Sequence, residues 1–326
     1  MFIKESPDSS IDPVDTVDTA GTVNMLNKKI NRISRIWKIY FSPTGTTQKV
    51  VSRVADCLAY NLSLDTFTFD FTLPAARKDF VKLDEEDLII FGCPTYAGRL
   101  PNLLLPYLET ICGNGALTIP IVTFGNRAFD NSLAELQCLL DNHGFRTIAA
   151  AAFSCEHSFS HTLGAGRPDD ADLMEADTFA LSVFGLLIRA ISLQETLPPL
   201  TVDGDPQAPY YKPQDRNGRF IDIRKVKPLT SSSCTNCGIC AAACPMGAIS
   251  TEDFRQVSGI CIKCGACIKK CPHHAKYYDD AGYLYHKVEL EAMYGSSRAV
   301  YRFFVQLFSH KTPVIHLTPL QLYLRI

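Results

Sequence analysis

The chain has 326 residues, 46% of them hydrophobic and 20% charged, with a formal net charge of −2. That length is ample for two buried cores. The near-neutral balance excludes the strongly basic surface that binding to nucleic acid or an anionic membrane requires.

The opening residues, MFIKESPDSSIDPVDTVDTAGTVN, carry few large apolar groups and bury too little to offset the entropy of ordering them. A disordered leader is expected over 1–33. It has no basic start followed by an apolar run, so no secretory signal is predicted. Met25 opens a more ordinary stretch and is an alternative start. From 34 to 193 apolar runs alternate with longer amphipathic segments. IWKIYFS (36–42), DLIIFGC (87–93), LTIPIVTF (117–124) and RTIAAAAF (146–153) predict buried strands, and DTFTFDF (65–71) an edge strand. Helices are expected near 46–60, 101–112, 130–143 and 169–190. The most apolar run, Phe179 to Leu193, is broken by Arg189 and is shorter than a bilayer span, so a core helix and no membrane partner are expected. Near-continuous apolar strands separated by helices imply a five-stranded doubly wound parallel α/β sheet, with its ligand beyond the carboxyl ends of the strands. Residues 194–230, rich in Pro, Gly and Asp, predict a linker or an arm over the surface. A cysteine-rich module follows over 231–280, and 281–326 is apolar enough to pack back on the domains.

Thirteen cysteines are present, eight of them between 234 and 271. An extracellular disulfide scaffold would be short, with cysteines spread throughout, so this clumping favours thiolate ligands in a reducing cytoplasm. CTNCGICAAACP (234–245) and CIKCGACIKKCP (261–272) both read C-x2-C-x2-C-x3-C-P. In such a run three closely spaced cysteines wrap one cubane cluster, and the cysteine before proline serves the other. Cluster one would take Cys234, Cys237, Cys240 and Cys271, and cluster two Cys261, Cys264, Cys267 and Cys244. Zinc binding and structural disulfides are the alternatives, although zinc modules present their ligands in pairs. The module resembles the bacterial two-cluster ferredoxins.

YFSPTGTT (40–47) follows the first strand. It has neither the lysine of a nucleoside triphosphatase loop nor the glycines of a dinucleotide fingerprint. It is either a hydroxyl-rich helix cap or a phosphate cradle that works through backbone amides and the helix dipole without a cation. Its Ser42, Thr44, Gly45, Thr46 and Thr47 match the flavodoxin phosphate loop, [ST]-x-T-G-x-T, and the resemblance implies FMN. CPTYAGRLPN (93–102) is similar to the flavodoxin loop over the flavin ring, which implies contacts from Pro94, Thr95, Tyr96, Ala97 and Gly98, with Tyr96 stacking and Gly98 free to reorient its peptide. TFGNRAFD (123–130) is similar to the loop on the ring's other side, which implies backbone contacts from Gly125 and Asn126 and a contact from Arg127. From about 36 to 275 the chain resembles the bacterial flavodoxin–ferredoxin fusion proteins. The resemblance implies a flavodoxin-like domain plus a small α+β two-cluster ferredoxin domain, FMN and two [4Fe–4S] clusters as cofactors, and electron transfer with a redox partner protein.

SCEHSFSHTLGAGRPDD (154–170) follows the fifth strand and offers His157 and Glu156 for proton exchange with a flavin or substrate. The same segment would equally cap the sheet or dock the ferredoxin module. Arg99 and Arg127 are candidates for neutralising flavin charge, or for surface salt bridges. Cys57, Cys93, Cys112 and Cys138 are expected to be small core hydrophobes. Lys263, Lys269 and Lys270 form a basic edge, either steering an acidic partner or simply solvated. The expected function is that of a cytoplasmic electron-transfer iron–sulfur flavoprotein. An FMN-dependent reductase of a small molecule and a cluster-binding redox sensor without flavin are the alternatives. A flavin edge buried against the ferredoxin module would favour the carrier, and room for a substrate beside His157 the reductase.

Overall fold

Long apolar runs bounded by helix starts give this chain a parallel sheet buried on both faces. A computed structural model describes residues 33–193, 197 and 199–305. The expected leader, apart from Ile33, the alternative start Met25 and the end of the tail lie outside these described residues. The strands are β1 (Arg35–Tyr40), β2 (Asp65–Asp70), β3 (Asp87–Pro94), β4 (Leu117–Phe124), β5 (Arg146–Thr147) and β6 (Ala149–Ser154). They pair in parallel in the order β2-β1-β3-β4-β6, with β5 beside the start of β4. This is the 2-1-3-4-5 order of flavodoxin-like doubly wound sheets. The single strand expected over 146–153 is two pieces, parted at Ile148, whose amide still donates to Thr118 O at 3.0 Å. β2 alternates in exposure and forms one edge.

Helices α1 (Thr46–Leu62) and α4 (Asp170–Leu193) cover one face, with Val50, Val54 and Leu58 packed in a common core with Phe179, Val183 and Leu187. α2 (Leu105–Leu108) and α3 (Ser132–Asn142) cover the other, where Leu133, Leu136 and Leu140 pack with Phe41 and Phe91. The helix expected over 101–112 shrinks to the 3-10 turn Asn102–Leu104 and the single turn of α2. Pro101 and Pro106 remove the amides that a longer helix would need. α4 is longer than the apolar run in the sequence suggested. By length and composition alone it could cross a bilayer, yet Ala176, Phe179, Val183 and Leu187 are buried on the sheet side.

The segment after α4 lies against the domain. Leu200, Val202 and Ala208 are buried, Tyr210 Oη donates to Leu100 O at 2.8 Å, and Tyr211 N donates to Ala97 O at 2.8 Å. The cysteine module holds β7 (Leu229–Thr230), α5 (Ile239–Ala242), α6 (Ala266–Lys269) and β8 (Lys276–Tyr277), the two short strands pairing antiparallel. Helix α7 (Ala281–Tyr294), capped by Asp280 accepting from Tyr283 N at 2.8 Å, then leads the chain back to the first domain.

There β9 (Arg302–Val305) adds an antiparallel strand to β6, so the tail packs as the seventh strand of the sheet. Nothing in the sequence marked it as a strand. A buried polar network anchors it. Asn126 donates to Tyr294 O and Ser297 O and accepts from Ala299 N, while Arg167 and Arg298 share Asp172 with Tyr301 Oη. The Asp172 side chain is 1% exposed, so its charge depends on these donors. Replacing Arg167 with Met is expected to cost about 3 kcal/mol in urea unfolding, the low end for breaking a buried pair because Arg298 remains. Limited proteolysis of that variant should cleave first near 298–302.

Candidate functional site

The loop between β1 and α1 is built around the start of the helix. Gly45 takes the left-handed conformation, with φ 89°, that turns the chain into α1. The Ser42 hydroxyl accepts from Gln48 N at 2.9 Å, and the Thr47 hydroxyl bonds Thr123 Oγ1 at 2.7 Å. Ser42 therefore caps the helix from beneath the loop. Among the described residues the amides of Thr46 and Thr47 donate to nothing, as first-turn amides do when no cap reaches them. Orphan donors at a helix N-terminus suit a phosphate. The cation-free cradle expected from the sequence is modified by the fold. A basin of about 530 Å³ beside Thr44, Gly45 and Thr46 is also lined by Lys49, Arg167 and Lys269.

Hydrogen bonds continuing past the strand ends hold three loops together. Thr95 N donates to Thr123 O and Cys155 N to Phe124 O, both at 2.7 Å. They enclose a cavity of about 410 Å³ lined by Thr44, Thr46 and Thr47 from the first loop, Pro94, Thr95 and Tyr96 from the second, Gly125 from the third, and Glu156 and His157 after β6. Pro43 and Cys155 also line it, as do Thr123, Phe124 and Ser158, which were not singled out in the sequence. The remaining sequence candidates lie elsewhere. Ala97 and Gly98, both at positive φ, form a tight turn between Tyr96 and Arg99, and a Cβ on Gly98 would meet the Asp130 carboxylate at 2.6 Å. Asn126 is committed to the network under β9. Arg127 pairs with Asp130 and stacks over Tyr211 at 4.6 Å, and Arg99 pairs with Glu135 at 2.6 Å. Neither arginine lines the cavity.

Two glycines explain how tightly this is built. A Cβ on Gly92 would stand 2.3 Å from Val51 Cγ2 and 2.8 Å from Thr47 Cγ2, so a glycine in β3 lets α1 approach the sheet. A Cβ on Gly125 would stand 2.3 Å from His157 Cδ2, so that glycine makes room for the imidazole. His157 Nδ1 accepts from Phe159 N at 3.0 Å. Burial, reinforced by Lys269, His286 and Arg127 and opposed by Glu291, lowers its pKa to about 4. Burial raises the Glu156 carboxyl, but Lys269 and the Gly166 amide outweigh it and hold the group ionised below its usual range. Of the expected basic edge, Lys269 is turned inward: it pairs with Glu156 and donates to His157 O at 2.7 Å and Ser160 O at 2.9 Å. Lys263 donates to Arg224 O at 2.8 Å and Cys261 O at 3.0 Å, leaving only Lys270 of the three exposed.

The cysteine module holds two further cavities. Cys234, Cys237, Cys240 and Cys271 line one of about 320 Å³, and Cys244, Cys261, Cys264 and Cys267 line one of about 340 Å³. The grouping follows the crossed register of the repeat. All thirteen cysteines are free. Among the described residues no three His, Cys, Asp or Glu side chains converge on a single point. Four thiols spread around a void are the donor set of a polynuclear cluster. The repeat also supplies matching amide donors to sulfur, Ala248 N to Cys244 Sγ at 3.2 Å and Ala275 N to Cys271 Sγ at 3.3 Å. Of the other cysteines, Cys93 and Cys155 are buried, Cys57 and Cys138 half-buried, and Cys112 is exposed on a loop rather than in the core. The fold also sets the second cysteine cavity against the first domain. Gly265 lines that cavity, Ser158 lines the cavity at the strand ends, and a Cβ on Gly265 would stand 2.3 Å from Ser158 O.

Residues 233–276 match the family model described as a 4Fe-4S dicluster domain. No curated protein sequence matches the chain. Among solved structures, a flavodoxin from the domain Archaea aligns at 13% identity over 47% of this chain and 99% of its own, with a TM-score of 0.35. A Streptococcus pneumonia TIGR4 flavodoxin aligns at 19% identity over 45% and 96%, with a TM-score of 0.33. The rubredoxin oxygen:oxidoreductase from the anaerobe Desulfovibrio gigas aligns at 14% identity over 51% and 39%, with a TM-score of 0.35. The strand order itself, rather than these distant likenesses, defines the first domain. The chain joins a doubly wound domain of flavodoxin-like topology to a C-terminal segment, 233–276, that matches a 4Fe-4S dicluster domain.

Proposed function

We propose that the chain is an electron-transfer flavoprotein of the reducing cytoplasm, holding FMN in the strand-end cavity and a [4Fe–4S] cluster in each cysteine cavity, and exchanging electrons with a partner protein. The observation that carries this reading is the shared wall between Gly265 and Ser158, which sets the flavin cavity and the second cysteine cavity back to back. A flavin takes electrons singly or in pairs while an iron–sulfur cluster takes them singly, which is the chemistry such a junction joins.

The chain's own residues have distinct parts in this reading. The free amides of Thr46 and Thr47 would hold the phosphate, with Lys49 and Lys269 nearby. Tyr96 would face the ring from a position close to Cys264 and Cys261. Burial first, and then those sulfurs, push its phenol well above its usual pKa, so it stays protonated. His157, neutral at pH 7 and wedged beside Gly125, lines the cavity wall and offers no charge for proton delivery. That neutrality supports the carrier over a reductase that uses His157 as an acid.

Anaerobic purification should yield one FMN and about eight iron atoms per chain, two clusters of four. Thr44→Leu with Thr47→Leu should release the flavin, read by fluorescence, while iron stays bound; flavin retained at wild-type affinity counts against the cradle. Gly238 occupies the position of Gly265 in the first repeat and has a similar positive φ, yet its Cβ would meet only the Phe254 ring, at 3.2 Å. Gly265→Ala is therefore expected to slow flavin-to-cluster equilibration after flash reduction at least tenfold, and Gly238→Ala to leave it within a factor of two. His157 has an ordinary pKa of 6.5 and a folded-state value of about 4. The unfolded chain therefore binds a proton in that window that the folded chain does not, and stability falls as pH drops from about 6.5 to 4. His157→Asn should flatten that fall by about 3 kcal/mol in urea titrations across the window.

A further inference from the structure

The two repeats are alike in their cysteines and unlike at the fifth residue after the cysteine that precedes proline. Lys276 holds that position after Cys271, and Ile249 holds it after Cys244. Each lines its own cavity: Lys276 the one of Cys234, Cys237, Cys240 and Cys271, and Ile249 the other. Lys276 is 3% exposed. Its ammonium donates to Thr230 Oγ1 at 2.7 Å and to Phe254 O at 2.5 Å, and among the described residues no carboxylate lies within salt-bridge distance. Two neutral oxygens take two of its three protons, and Asp253 feels its charge only from beyond salt-bridge distance, so no direct partner neutralises the buried charge and the site calls for a further anion. A thiolate-bound cluster in the same cavity would be that anion. Lys276 is the foremost charge acting on Cys240, and it acts on Cys271 as well; Cys267 of the other cavity feels it behind its own neighbours.

A cluster gains negative charge when it accepts an electron, so a fixed cation beside it favours the reduced state. We propose that Lys276 raises the reduction potential of cluster one above that of cluster two, so that a single electron leaving cluster two comes to rest on cluster one. That transfer oxidises one cluster, reduces the other and moves no proton. Cluster one is also the solvent-facing one. Cys237 is exposed, and Ile239 is 40% exposed where its counterpart Ala266 is fully buried. Lys276 thereby makes the outer cluster the exchange point with a soluble one-electron carrier. This inference rests on the cluster assignment proposed above and needs no flavin.

The test is an anaerobic potentiometric titration of the full-length holoprotein, followed by EPR and accompanied by iron counts. Lys276→Met is expected to lower the higher cluster potential by at least 59 mV, a tenfold change in a one-electron equilibrium, and the other by less. Lys276→Arg, which keeps the charge, should hold both potentials near wild type. Ile249→Lys, which leaves Lys276 in place, should raise the lower potential and narrow the gap. The proposal is overturned if Lys276→Met leaves both potentials unchanged or moves them equally, or if Ile249→Lys leaves the gap intact. Should Lys276→Met fail to retain iron, Ile249→Lys alone decides the matter. Wild-type protein with clusters and no flavin would sink the FMN assignment and leave this result readable, whereas protein without iron would overturn both.

Discussion

The Lys269 ammonium is surrounded by the Glu156 carboxylate and the carbonyls of His157 and Ser160, all on the segment after β6. It comes from the three-residue spacer of the second cysteine repeat, and at 13% side-chain exposure it is a bond between modules rather than a surface charge. Burial lowers its pKa, with Glu156 opposing the shift, and Glu156 remains ionised, so the pair is charged near neutral pH. The proposed exchange between the strand-end cavity and the second cysteine cavity depends on that contact, because it holds α6 against the loop that walls the strand-end cavity. An isolated ion pair at a surface contributes little, but a partly desolvated one with two further carbonyl acceptors fixes orientation as well as energy.

The rest of the interface follows from small residues. Gly265 and Ala266 let the helix turn approach Ser158 until no side chain fits between them. Of their counterparts, Gly238 packs toward the Phe254 ring and Ile239 is exposed. A motif duplicated in its metal ligands thus has two different environments, one enclosed against the first domain and one turned to solvent. Lys276 opposite Ile249 extends the same asymmetry to charge. Cysteine spacing needs only local geometry, whereas these differences appear where the module meets other surfaces.

The return of the chain through α7 to β9 completes the arrangement. The side chain of Asn126, whose backbone the sequence suggested as a cofactor contact, ties Tyr294, Ser297 and Ala299 to the third loop. Arg167, just before α4, and Asp172, in its first turn, complete the network with Arg298 and Tyr301. The loop at the strand ends is consequently braced from the side opposite the cavity. This is a structural use for a residue that lies one position past a cavity-lining glycine.

The sequence by itself determined the parallel sheet, its strand-end site and the pairing of cysteines. Each of these follows from patterns repeated along the chain: apolar runs of strand length, hydroxyls and glycine after β1, and three close cysteines with a fourth before proline. Seven of the loop candidates, Thr44, Thr46, Thr47, Pro94, Thr95, Tyr96 and Gly125, line the cavity because loops at adjacent parallel strands meet there. Only the tertiary structure decided that Arg99, Arg127 and Asn126 are consumed by other partners, that β9 closes the sheet, and that Lys269 and Lys276 are buried. A side chain's partner depends on which distant segment folds against it, and 113 residues of chain separate Glu156 from Lys269. Local pattern carries no record of that distance, so contacts of this kind become legible only when the fold brings them together.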